Sequence, residues 1–495
     1  MASVSWSSPV RAIGSRLLTP IPNEIYCEIF DYSECALDFS RVAQNRLLSN
    51  LALVCRFFCA LALPRIFKSL KFSGYDKDTA PSNAPFCRAI IKGQEPAVAL
   101  ARHVRECTFS SWSVDLISPS WVYDGFLKIY SQAIGRMPNV RKVTLNTTDI
   151  DKRLFKAICK MKSLESLTLT RCIFGDSVTD SFLRQVSPVK IKAFTFRPSP
   201  SVSQDDDHFT RALPYMVSIE RLEYLNSYSW PVALKLLSSV DQNVLLHLEV
   251  DGGGCSSAAL CSLLNRSPRL EVLEVNMVDD TSIIQSDSAA TNHDNVVLKT
   301  SCRNLHTLKC PPTMINLVPG RPLHTVMITE VAHRENIGLL GAAEVALLKK
   351  STKEIRVLHI PLHLYLSVSI CEHFPDLQVL HLIRGVMGHT TSKEYIPDTP
   401  EHLDKILMKI ITLWPPATSI TEFCINLGPQ TYFYPPHDLI SHRYILDSFA
   451  NKSFPNIQVA IFTEYIQWRK EPHKQIWETF PRYSKRRSTN ALKFS

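Results

Sequence analysis

Glycine is scarce in this chain, with 15 residues in 495 against 31 prolines. Phosphate-cradling turns and dinucleotide folds depend on glycine, and no Walker loop, GxGxxG, GxSxG or HExxH occurs. Long apolar runs are missing too. The strongest, "LALVCRFFCALAL" (51–63), carries Arg56 in its middle and meets Pro64. A bilayer-spanning helix needs about 20 apolar residues, so no membrane span is expected. Charge of one sign is lacking as well. Lys and Arg total 55 and Asp and Glu 46, net +9, spread along the chain, which does not point to nucleic acid. The 14 cysteines show no close double-pair spacing of a zinc site, and several sit in apolar runs. The N-terminus "MASVSWSSPVRAIGSRLL" has no 7–15-residue apolar signal core. A reducing compartment, cytoplasmic or nuclear, with free thiols is the expectation.

What is present begins with the first seventy residues. In "LLTPIPNEIYCEIFDYSECAL" (17–37), Thr19 can cap a helix starting near Pro20 or Pro22. Ile21, Ile25, Ile29 and Tyr32 (or Phe30) recur at three- and four-residue steps, one apolar face of a short helix. Ser33 to Arg46 reads as a loop with a helical turn, and Leu47 to Leu63 as one or two helices, apolar on nearly every side. Three short helices with so much apolar surface are marginal alone. The surplus calls for cover from the rest of the chain, from a partner, or from both.

"IPNEIYCEIFDY" followed by "LLSNLALVCRFFCALALPRIFKSLKF" resembles an F-box, of the kind found in fungal F-box-like proteins. The likeness rests on Ile21-Pro22, Glu24-Ile25, Ile29-Phe30, then Leu53-Val54-Cys55-Arg56, Phe58, and Pro64 through Leu70. The link from Ser33 to Arg46 is longer than usual, and Phe57 and Phe58 stand where many members carry tryptophan. The resemblance implies docking onto the Skp-family adaptor of a cullin–RING ubiquitin ligase, through Ile21, Pro22, Ile25, Ile29, Phe30, Leu53, Val54 and Phe58. The competing reading makes these helices a cap on the next domain.

Beyond residue 66 an apolar triplet with spacing three then two recurs. It runs Phe67-Leu70-Phe72, Val104-Cys107-Phe109, Val140-Val143-Leu145, Leu164-Leu167-Leu169, Ile191-Phe194-Phe196, Ile219-Leu222-Tyr224, Leu245-Leu248-Val250 and Leu270-Leu273-Val275. Later members are Leu305-Leu308-Cys310, Leu323-Val326-Ile328, Ile355-Leu358-Ile360, Leu377-Leu380-Leu382, Ile420-Phe423-Ile425 and Ile457-Ala460-Phe462. At 45% hydrophobic content chance yields such a triplet at roughly one position in eleven. Two features add weight: steps of 24, 27, 28, 26 and 25 residues between 140 and 270, and the lead-ins "MPNVRKVTL", "MKSLESLTL", "SPRLEVLEV" and "FPDLQVLHL". These steps lie in the leucine-rich-repeat range. The last two apolar residues point to one side of a short strand, a helical stretch such as 151–160 or 257–266 returns the chain, and stacking buries what one unit cannot. The usual Asn or Cys three residues past the final apolar position occurs as Cys172 but is mostly absent. After 270 the spacing is irregular, which insertions or a different packing would each explain; a non-repeat α/β fold is the alternative architecture.

The expected fold is therefore α/β: a disordered tail (1–16), an F-box-like helical domain (17–72), an irregular leucine-rich-repeat-like solenoid (73–470) and a basic C-terminal tail (471–495). "RPSPSVSQDDDH" (197–208) and 279–295 read as loops. "VDGGGCSSAAL" (250–260) reads as a strand-to-helix turn, with an anion site beside a Cys255 nucleophile as the sharper alternative. "YSKRRST" (483–489) reads as a solvated end, or a nuclear or phosphate-contacting signal. His247, His306 and His359 neighbour core positions of strands and are expected on the concave surface. No catalytic, cofactor-binding or metal residue is assigned, and the chain is not expected to be an enzyme. The function expected is substrate recognition in a Skp–cullin–F-box ligase, the repeat face holding a protein substrate. The alternatives are a repeat-only scaffold, and an enzyme or nucleic-acid binder built on Gly252–Cys255 or the basic tail.

Overall fold

The computed structural model describes residues 12–13, 16–17, 21–35, 41–74, 82–113, 121–198, 206–238, 244–251, 257–276, 302–329, 342–383, 400–426, 439–462, 466–471 and 476–481. Residues 252–256, 279–295 and 483–489, which carry the Gly-rich turn, the second polar loop and the basic run, lie outside them, as does most of the 1–16 tail. The chain divides into two compact units, Met1–Leu236 and Leu237–Ser495.

The first unit opens with a short antiparallel pair, Ala12–Ile13 with Arg16–Leu17, so the stretch expected as a disordered tail carries strand there. Three helices follow: α1 (Asn23–Cys35), α2 (Arg41–Ala52) and α3 (Arg56–Ile66). The stretch 33–46, read from sequence as mostly loop, is largely helical, because α1 runs to Cys35 and α2 starts at Arg41. The apolar run 47–63 is two helices, broken at Leu53–Cys55, where Cys55 caps α3 by accepting from the Phe58 amide. Pro64 does not stop the chain there; α3 continues to Ile66. So close to the helix end, few helical hydrogen bonds remain for proline to disrupt. Phe30, Leu48 and Ala62 form the core of this group, with Leu51, Phe58 and Ile66 packed around it.

A parallel ladder follows at once. Its strands are β1 (Ser69–Ser73), β2 (Glu106–Trp112), β3 (Lys142–Ile150), β4 (Ser166–Thr170), β5 (Ala193–Arg197) and β6 (Tyr224–Ser227). The expected boundary at 72 thus cuts through a strand. Register aligns Leu70, Cys107, Val143, Leu167, Phe194 and Leu225 in one buried column. The next column is Phe72, Phe109, Leu145, Leu169, Phe196 and Ser227. The sixth triplet, read as Ile219-Leu222-Tyr224, is displaced: the strand places Leu222 as the lead residue, with Leu225 and Ser227 inward. Ser227 hides the rung because it is polar. Its hydroxyl survives burial by donating to the Ser229 carbonyl at 2.8 Å and accepting from the Ser229 amide.

Helices return the chain between rungs. The expected helix at 151–160 is α4 (Lys152–Cys159), capped by Asp151, whose carboxylate accepts from the Arg153 and Leu154 amides at 3.0 and 2.8 Å. Asp149 through Cys159 reads as a clean strand-to-helix passage for that reason.

A recurrent exit shapes the ends of three strands. Ser111, Thr147 and Arg171 all take left-handed φ, at 60°, 49° and 51°. Each turns the following side chain inward, so Trp112, Thr148 and Cys172 are all buried. Trp112 Nε1 donates to the Phe72 carbonyl at 3.0 Å, and Cys172 Sγ donates to the Leu145 carbonyl at 3.4 Å, in each case the equivalent atom of the preceding rung. Thr148 Oγ1 donates instead within its own rung, to Asn146.

The second unit repeats the scheme with β7 (His247–Asp251), β8 (Val272–Asn276), β9 (Thr307–Cys310), β10 (Thr325–Ile328), β11 (Val357–Pro361), β12 (Val379–Ile383), β13 (Glu422–Asn426) and β14 (Val459–Ile461). Leu248, Leu273, Leu308, Val326, Leu358, Leu380, Phe423 and Ala460 stand in register, all buried. The irregular spacing after 270 is therefore insertion between rungs, not a change of packing. Two antiparallel strands, β15 (Ile466–Lys470) and β16 (Trp477–Pro481), extend the sheet. The expected tail from 471 thus contains a strand, whose Trp477 is buried. The protein is mixed α/β with long, mostly parallel ladders.

Candidate functional site

Among the described residues, the three N-terminal helices carry an apolar surface that is left open. In α1, Tyr26 and Phe30 turn inward; Phe30 is 2% exposed. Tyr26 meets Phe57 and Phe58 edge-on with centroids 5.5 and 5.3 Å apart, and Phe30 meets Phe58 at 5.8 Å. Arg65 of α3 lies over the Phe30 ring at 5.3 Å and pairs with Asp31. These contacts set the rotation of α1, and the other apolar residues of that helix face solvent. Ile25 is 42% and Ile29 54% exposed, and Tyr32 is more open still. At the corner between α2 and α3, Leu53 is 86% and Val54 65% exposed. Of the large apolar side chains exposed among the described residues, over half fall between residues 25 and 54.

Of the residues assigned to adaptor contact, Ile25, Ile29, Leu53 and Val54 are open, Pro22 is exposed and Ile21 half-buried. Phe58 is half-buried among rings. Phe30 requires correction: it is core, not surface, because Arg65, Phe58 and Leu48 enclose it. Helical spacing alone did not separate Phe30 from Ile29 and Tyr32, since a helix apolar on two sides does not say which side is covered.

The outward column of the first ladder is Lys71, Thr108, Thr144, Thr168 and Thr195, mostly uncharged, and it closes on Asn226, which is buried. The second ladder differs, presenting Glu249, Glu274, Lys309, Met327, His359, His381 and Cys424 in register. Lys309 and Glu274 pair at 3.3 Å, and His381 Nε2 lies 3.1 Å from Glu422. The His359 and His381 rings are 4.1 Å apart. His359 does lie on the strand face, and His247 begins β7 with Nε2 3.8 Å from Glu274. His306 sits just before β9, beside Glu271. Burial, with the neighbouring His381 and Lys309, pushes His359 down to about 3.

That depression gives a pH dependence with a defined sign. The unfolded chain takes up a proton on His359 near pH 6.5 while the fold refuses it, so stability falls as pH drops from about 6.5 toward 3. Urea midpoints measured at about pH 7.5 and 5 should drop for the wild type, and drop less for His359→Asn. Equal drops would show that His359 does not carry the effect.

Burial makes several of the thiols poor nucleophiles. Eleven cysteines are free, among them Cys27, Cys55, Cys59 and Cys424. Burial pushes Cys87, Cys159, Cys172, Cys310 and Cys371 up to about 12. No described cluster of three His, Cys, Asp or Glu residues could hold a metal ion, and no described helix is long and apolar enough to cross a membrane.

No protein-family model and no curated protein matches this chain. Among solved structures, an internalin from Listeria monocytogenes strain 4b F2365 is 12% identical, with 70% of this chain and 91% of that chain covered, at a TM-score of 0.19. A superposition that loose says nothing about this chain, whose ladders are defined by their own register.

Proposed function

We propose that the chain is a protein-binding subunit of a Skp–cullin–F-box ubiquitin ligase. The α1 face and the α2–α3 corner hold the Skp-family adaptor, and the strand faces hold a protein substrate. The observation that carries this reading is the exposure of Ile25, Ile29, Leu53 and Val54 on helices that already have a closed core of their own. Uncovered apolar surface of this kind marks an interaction site, and these four residues fall in the motifs that resemble an F-box. No residue does covalent chemistry. Tethering the substrate beside the ligase raises its effective concentration, and that is the whole mechanism. A second reading, the helices as a cap on the ladder, draws on α3 passing straight into β1 and on Phe67 packing against Phe86 at 5.3 Å.

Co-expression with a Skp-family adaptor followed by size-exclusion chromatography separates the two. Wild type should co-elute, while Ile25→Asp and Leu53→Asp, each checked for folding by circular dichroism, should not. A folded wild type that never co-elutes leaves the cap reading.

A further inference from the structure

Three consecutive strands of the second ladder, β10, β11 and β12, begin beside a groove of about 770 Å³. Its floor is apolar: Leu348, Ile355 and Phe374 line it and are buried. Its walls are charged. Lys349, Lys353 and Arg356 line it, all exposed, together with His324, Glu354 and Asp376. At two strand starts of the first unit, cations are matched. Arg141 pairs with Glu165 at 3.8 Å, and Lys192 with Glu223 at 3.6 Å. Among the described residues Lys349, Lys353 and Arg356 have no ion-pair partner, although two carboxylates share their groove. Three unmatched cations above an apolar floor form a recognition surface for an amphipathic anion.

We propose that this groove binds an acidic peptide segment, its carboxylates or phosphomonoesters meeting Lys349, Lys353 and Arg356 and its apolar side chains resting on the Leu348–Ile355–Phe374 floor. His324 is held below its ordinary value by burial first, and then by Arg356, His306 and Lys353. The interleaved Glu354 and Asp376 suit a ligand whose negative charges are spaced apart. They repel a continuous phosphate backbone, and the buried Phe374 offers no open ring on which bases could stack. The groove goes beyond the adaptor reading and does not depend on it, since it lies in the other unit.

The test is fluorescence anisotropy on the full chain with labelled peptides of alternating glutamate and leucine, of phosphoserine and leucine, and of lysine and leucine, and with a single-stranded oligonucleotide of equal charge. At least one acidic peptide should bind saturably, and the lysine peptide should not. Comparing the two acidic peptides tells carboxylate from phosphate recognition. Lys353→Glu with Arg356→Glu should weaken binding roughly tenfold. Lys162→Glu with Arg184→Glu, an equal charge change in the first unit, should leave it unchanged. Lys349→Glu alone provides a milder variant should the double change perturb folding. No saturable acidic-peptide binding, equal losses in the two double variants, or tighter binding of the oligonucleotide would each overturn the proposal.

Discussion

Phe423→Ala is expected to destabilise the second unit by about 3–5 kcal/mol. Phe423 stands in the buried column of β13 and is fully enclosed. Its ring lies 5.1 Å from Phe449, 5.5 Å from Phe454 and 6.4 Å from Phe462. Phe449 and Phe454 also stack on each other at 5.5 Å. These rings come from the strand, from the turn before β14 and from the residue after it, so their cluster joins the last parallel rungs. Truncation leaves a void that rigid aromatic neighbours fill poorly, which is the condition for a large cavity term. Trp468 and Trp477, buried in the adjoining antiparallel strands, report the loss: their fluorescence transition in urea should move to lower denaturant. An unchanged transition would mean that the aromatic cluster does not hold the rungs together.

Phe30→Ala should have a comparable cost confined to the N-terminal helices, about 3–5 kcal/mol. A group of three short helices has little stability to spare. Losing the ring removes the contacts with Phe58, Leu48 and Ala62 and the Arg65 guanidinium above it. Hydrogen exchange over residues 23–66 should accelerate while the ladder amides stay protected. Leu53→Asp should do the opposite. At 86% exposure it should change stability by no more than about 0.5 kcal/mol, yet remove the adaptor binding proposed above. Paired in this way, the two substitutions tell a core residue from a docking residue within one motif. Slow exchange in Phe30→Ala would place the helices' stability elsewhere, in their contact with the ladder.

The ladders were legible because their inward residues are apolar at fixed spacing. Leu167-Leu169 and Leu380-Leu382 announce themselves by the step of two; Ser227 hid one rung by taking an inward place, and the closing antiparallel pair β15–β16 carries no such triplet. The helices of the first seventy residues were legible as helices but not in rotation. Tyr26, Ile29, Phe30 and Tyr32 are all apolar or aromatic, and only the partners Phe57, Phe58 and Arg65 decide which are covered. The groove at the starts of β10 to β12 left no motif. Its cations Lys349, Lys353 and Arg356 are neighbours in sequence, but only strand register sets them beside His324 and Asp376. Likewise His381 and Glu422, more than forty residues apart, meet only because β12 and β13 are neighbours.

The left-handed residues late in β2, within β3 and just after β4 bear on how such a chain tolerates change. An indole, a hydroxyl and a thiol occupy one and the same slot, at Trp112, Thr148 and Cys172. What they have in common is a proton to give to a nearby carbonyl, not a shape or a size. A spine specified by a bonding role can exchange its letters freely while the rungs keep their stacking. It can thus lose every recognisable consensus without losing a turn.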